Sequence, residues 1–92
     1  MKTASEIGKI ARFHRKSAGL TQLELANMAG VGKATVFDIE KGKETIQFDK
    51  LLKVLAVLNI TLEPSGPLMA AWRDSDKQHS SKKEQLSGVG DR

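Results

Sequence analysis

TQLELANMAGVGKATVFDIEKG, residues 21–42, contains two helix starts and two helix stops. Thr21-Gln22-Leu23-Glu24 has the capping-box pattern: the Thr21 hydroxyl can accept from the backbone N–H of Glu24 while Glu24 reaches back to Thr21. Gly30 follows Ala29 and supplies the positive φ that turns the chain sharply. The first helix is therefore expected over Gln22–Ala29. Gly32 stands where the next helix needs a cap, an acceptable but second-rank choice. That helix is expected over Lys33–Lys41, stopped by Gly42. Leu23, Leu25, Val31, Val36 and Ile39 would give the pair its own small core, with Ala26 small where the helices cross. Lys33, Ala34, Thr35, Phe37, Asp38 and Lys41 fall outside that core.

Upstream, Thr3-Ala4-Ser5-Glu6 repeats the capping-box pattern. Ile7, Ile10, Ala11 and Phe13 or His14 follow at close to helical spacing, and Gly19 ends the run. Lys9, Arg12, Arg15 and Lys16 lie on the other faces. Downstream, residues 43–47 form a connector and FDKLLKVLAVL from Phe48 is helical again. Leu51, Leu52, Leu55 and Leu58 share one side, with Asp49, Lys50 and Lys53 on the other. Asn59 can close this helix in a left-handed conformation. Ile60-Thr61-Leu62-Glu63 alternates with period two, which marks a short strand, and Pro64 ends it.

The expected architecture is all-α: four helices and a short C-terminal β-strand in residues 1–63, followed by a tail over 64–92. A lone strand has no ladder partner in a helical monomer, so its backbone groups call for a second copy across a dimer. Ile60 and Leu62 would then lie over the dimer core. The tail is rich in proline, glycine and serine with mixed charge, and is expected to be largely disordered. Its exception is the apolar island Leu68-Met69-Ala70-Ala71-Trp72.

Composition narrows the function. The chain has 92 residues, no cysteine and a formal net charge of +4. No disulfide framework or thiolate metal site can form, and His14 and His79 are too far apart in sequence to suggest a metal site, so neither metal nor cofactor is expected. No apolar run reaches membrane-spanning length and the N-terminus lacks a signal-peptide core, so the expected location is cytoplasmic, with no membrane partner. Gly30-Val31-Gly32-Lys33-Ala34 only faintly suggests a phosphate loop, since Asn27 stands where a glycine is needed and Ala34 follows the lysine. No carboxylate pair or nucleophile–base pair is visible, so the chain is not expected to be an enzyme.

Two short helices separated by a glycine-containing turn make the helix-turn-helix arrangement, whose second helix enters the major groove of double-stranded DNA. The segment resembles the lambda-repressor/Cro-like (XRE) helix-turn-helix family, with Gln22, Ala26, Gly30, Val31, Val36, Ile39, Glu40 and Gly42 at that family's typical positions. The resemblance extends over about residues 5–63. More narrowly, VGKATVFDIEKGKETIQFDKLLKVLAVLNITLEP is similar to HipB-type antitoxins, small repressors paired with a HipA-type serine/threonine kinase toxin. This implies a homodimeric repressor that binds a palindromic operator, autoregulates its operon and neutralises a HipA-like kinase. In that family the strand after the fourth helix pairs with its copy, and Asn59–Glu63 occupies that place. The tail is poorly covered by the resemblance. Two other readings stand beside it: a free-standing or phage-type repressor, and a helix-turn-helix module kept only for protein interaction.

The resemblance places Lys33, Ala34 and Thr35 at base edges. Lysine can donate to guanine O6 and N7, and Ala34 or the Thr35 methyl can touch a thymine methyl. Phe37 either meets a thymine methyl or sugar edge or turns inward against another helix. Gln22 at a helix N-terminus is a phosphate contact by the same resemblance, and Arg12, Arg15, Lys41 and Lys43 are further phosphate candidates. Glu40 would repel phosphate and is expected to face another helix and bond locally. Trp72 either docks on its own domain or anchors a partner.

Overall fold

The computed structural model describes residues 3–77. Four helices build the first part of the chain: α1 (Ala4–Ser17), α2 (Gln22–Ala29), α3 (Lys33–Lys41) and α4 (Phe48–Val57). A further helix, α5, covers residues 69–77, the region of the apolar island. The chain divides into two compact units, one ending at Thr61 and the other beginning at Leu62.

The helix boundaries follow local chemistry. Thr3 and Thr21 both accept from the N–H three residues on, at 3.2 Å from Glu6 and 3.0 Å from Glu24, and each glutamate accepts from its cap's N–H in return. Gly32 caps α3 and Gln47 caps α4 without a side-chain bond. The four ends share one device: a residue at positive φ (Gly19, Gly30, Gly42 and Asn59) turns the chain, and the N–H after it returns to the last turn. At α4 the Asn59 N–H bonds the Ala56 carbonyl at 3.1 Å and the Ile60 N–H bonds the Leu55 carbonyl at 2.9 Å, a Schellman closure.

Within the first unit α3 packs against α1 and α2, while α4 lies mainly on α2. Ala11, Leu25, Ala26, Val36, Ile39, Val54, Leu55 and Leu58 form the buried core, with Leu20, Val31, Ile46, Leu51 and Ile60 among the residues packed around it. Each large aliphatic side chain so enclosed contributes about 1.5–3 kcal/mol. The α1–α3 approach is backbone-close. A β-carbon on buried Gly8 would collide with the Ile39 carbonyl oxygen, and one on Gly42 would lie 2.9 Å from the Ser5 Cα.

Three expected core placements are corrected. Leu23 is 53% exposed, because about 100° per residue carries it to the far side of α2 from Leu25. Leu52 is 42% exposed, and Val54 takes the buried place instead: the apolar arc of α4 is wider than its neighbours cover. Phe13 is exposed, and α1 turns Gly8, Ala11 and Arg15 inward. Residues 60–66 lie in neither helix nor strand, and no strand occurs among the described residues. Ile60, expected over a dimer core, packs on the core of its own unit, while Leu62 is exposed. In the second unit Leu68 and Trp72 are exposed, and the Trp72 N–H bonds the Leu68 carbonyl at 2.9 Å. His79 lies outside the described residues.

Candidate nucleic-acid interface

Helix α3 has two faces. Val36 and Ile39 enter the core, and Glu40 turns toward α1 and α2. The opposite arc carries Lys33, Ala34, Phe37 and Lys41, all exposed, with Asp38 half-buried beside them and Thr35 half-buried at the edge. The sequence left the direction of Phe37 open. The ring is 48% exposed, and the Lys41 Nζ stands 5.6 Å from its centroid, within cation–π range. The face thus offers an ammonium donor, a methyl group and an aromatic ring, groups that can meet a guanine edge or a thymine methyl in a major groove.

Beside this face, the Glu40 side chain is 4% exposed and the Arg15 side chain 10% exposed. Arg15 Nε donates to Glu40 Oε2 at 2.7 Å and Arg15 Nη2 donates to Oε1 at 3.0 Å, a two-pronged pair. Arg15 Nη1 donates to the Leu20 carbonyl at 2.8 Å. Gln22 Nε2 also donates to Glu40 Oε1, at 3.1 Å. Burial alone would push the Glu40 carboxyl up. Hydrogen bonds from Arg15 and Gln22, with the charges of Arg15 and Arg12, outweigh it and hold the group below the ordinary carboxylate value. The bond to Glu40 raises Arg15 above its ordinary value against the effect of burial.

Glu40 therefore faces other helices and bonds there, as expected. Arg15 is corrected: it is not a surface cation for phosphate but the buried partner of Glu40. The signal was present in the sequence, since Arg15 continues the Gly8–Ala11 spacing that turns toward α3, but its charge argued for solvent. Gln22 and Arg12 gather at this cluster. Gln22 is half-buried and bonded to Glu40, and Arg12 is exposed on α1. Lys43 is exposed and pairs with Asp38 at 3.5 Å, a long contact of small energetic consequence. Arg12 also joins Lys9, Phe13, Lys16 and Ser17 around a shallow open hollow on α1. Trp72 lies on α5 in the second unit, 53% exposed.

Among the described residues no group of three or more His, Cys, Asp or Glu gathers as a metal site, and the His14 ring Nδ1 lies 2.8 Å from the Ile10 carbonyl oxygen. No helix of the described residues is long and apolar enough to cross a membrane.

Comparison with known proteins gives three likenesses. The family model described as helix-turn-helix matches residues 12–64, more than half of the chain. An uncharacterized HTH-type transcriptional regulator of Sinorhizobium fredii is 42% identical over 67 residues, covering 73% of this chain and 88% of that protein. Among solved structures, HipB in its complex with the O4 20mer superposes with a TM-score of 0.65. The match is 21% identical and covers 72% of this chain and 93% of that one, a likeness of fold.

Proposed function

This chain belongs to the XRE-type helix-turn-helix family, and from that premise we propose that it is a sequence-specific DNA-binding transcriptional repressor acting as a homodimer. The observation that carries this reading is the outward arc of α3. Lys33, Ala34, Phe37 and Lys41 are presented together to solvent while the same helix is anchored by Val36, Ile39 and Glu40. A module kept only for protein interaction has no reason to hold base-meeting groups on this arc with Gln22 and Arg12 beside it. The name of the rhizobial relative and the fold shared with HipB in its O4 20mer complex support the same reading.

The dimer reads a palindrome. Two recognition helices related by a two-fold axis reach successive major grooves when about 34 Å apart. Phe48 and Leu52 on α4 leave apolar surface exposed on the first unit that a second copy can cover, and the segment from Ile60 to Glu63, with Leu62 exposed, can pair with its symmetry mate. Fluorescence anisotropy on the chain's own promoter region tests the proposal. Binding should weaken steeply with salt as counterions are released. Lys33→Ala should reduce discrimination among sequences at a cost of about 1–3 kcal/mol, and Lys43→Ala should weaken all sequences alike. No binding to that promoter at low salt would overturn the repressor reading.

The physiological setting that fits is an antitoxin. The HipB-like sequence of residues 21–63 and the HipB-like fold favour a HipA-like kinase as partner, with autoregulation of the shared operon. Trp72 and Met69 on α5, with Leu68 just before it, supply an apolar anchor for that partner. Pull-down of a co-expressed kinase of this type by the full chain, lost on Trp72→Ala while operator binding is kept, is the expected result. Equal recovery by a chain truncated after Pro64 would confine the partner interface to the first unit.

A further inference from the structure

Gln22 Nε2 carries two hydrogens, and one is committed to Glu40 at 3.1 Å. A side-chain amide can rotate to present either its oxygen or its nitrogen, and what decides between them is the partner it meets. Glu40 can only accept, so it selects the nitrogen. Glu40 is itself held by two bonds from Arg15 at 2.7 and 3.0 Å, and Arg15 is tied by a third bond to the Leu20 carbonyl at the end of the α1–α2 turn. The chain of bonds thus runs from the turn through Arg15 and Glu40 to Gln22. Its Glu40 end is nearly closed to water, and Gln22 is half-open to it.

We propose that Glu40 is a positioning residue for nucleic-acid binding: clamped by Arg15, it holds the Gln22 amide with its nitrogen toward Glu40 at 3.1 Å, which leaves the second Nε2 hydrogen to donate to a backbone phosphate oxygen. The inference rests on the DNA-binding reading of the α3 face and adds to it a residue that touches no DNA. A carboxylate this close to a phosphate would repel it if bare. Arg15 cancels that charge at bonding distance and Arg12 adds a positive field, so the acceptor orients Gln22 without carrying a net negative charge to the interface. Without the clamp, Gln22 would have to give up freedom of its amide on binding, and half of its orientations would present oxygen to oxygen.

The test separates orientation from stability. Arg15→Met with Glu40→Met removes the pair together, leaving no buried charge alone, and removes one charge of each sign. Operator affinity should fall about tenfold, the scale of a hydrogen bond to a charged group. The dependence of affinity on salt should keep its slope, because the net positive charge is unchanged. Gln22→Ala should lose a similar factor, and the combined triple variant should lose no more than either. Should the double variant fold poorly, Arg15→Gln with Glu40→Leu serves in its place, since it too leaves no buried charge alone and no acceptor at position 40, with Arg15→Lys as the conservative control that keeps the carboxylate clamped and the affinity near wild type. In the free protein, the Gln22 side-chain amide should give two well-separated proton resonances by NMR, drawing together when Glu40 is replaced. A folded Arg15→Met/Glu40→Met protein that binds operator as wild type, or losses that multiply in the triple variant, would overturn the assignment. A wild-type protein that binds no operator would instead overturn the DNA reading, so the two failures are distinct.

Discussion

Glu40 links acid stability to the site. Its carboxyl is held below the ordinary value in the folded chain, so the folded state favours the ionised form more than the unfolded state does. The stabilisation this gives is complete above the unfolded value near 4.5 and is lost as pH falls through the lower folded value. Thermal melts should therefore show a midpoint that falls as pH is taken down through this range, with Glu40→Gln showing a shallower dependence. An identical pH profile in the variant would show that other carboxylates govern acid unfolding. On the opposite arc, Phe37 makes a base-specific prediction. Covering a thymine methyl contributes about 0.8 kcal/mol, roughly a fourfold change in affinity. Replacing thymine by uracil at the contacted position should cost the wild type that factor and Phe37→Ala nothing. A uniform response at every thymine would remove Phe37 from base recognition.

At the scale of elements, what the sequence disclosed depended on how far the cause lies along the chain. Both capping boxes and all four stops were legible, because Thr3–Glu6, Thr21–Glu24 and the positive-φ residues act within a few positions of themselves. Which face each helix buries was less so. Leu23 and Leu52 have core chemistry but point where no neighbour arrives, and Arg15 has surface chemistry but meets Glu40 across 25 positions. The arc of α3 could be read because Val36 and Ile39 left only one side free. The Gln22 bond could not be, since it depends on how α2 and α3 cross. The crossing of α1 over α3 yields a further prediction. A methyl at position 8 would meet the Ile39 carbonyl, which is backbone and cannot swing aside like a side chain. Gly8→Ala should lower stability by about 1–3 kcal/mol, despite the better helix propensity of alanine. Urea denaturation with an unchanged midpoint would show that the two helices can slide apart.

For the whole molecule, the decisive question is assembly. Among its described residues the first unit buries eight apolar side chains and leaves Phe48 and Leu52 open, a thin core that association with a second copy would reinforce. Leu62→Lys places a charge where the proposed symmetry mate approaches. Sedimentation equilibrium should report monomers, and operator affinity should collapse because two half-sites no longer add. A dimer of wild-type strength would place the interface away from Leu62. The division of α3 into an anchored arc and an open arc has a consequence for the protein's history. Lys33, Ala34, Phe37 and Lys41 are all exposed, so substitutions there are nearly free of folding cost, as surface changes usually are. Operator preference can drift, or be redirected in the laboratory, while the scaffold stays intact. A library randomised at those four positions should consist mostly of folded proteins, and duplicated copies of the gene could diverge to separate promoters by a few substitutions on one side of one helix.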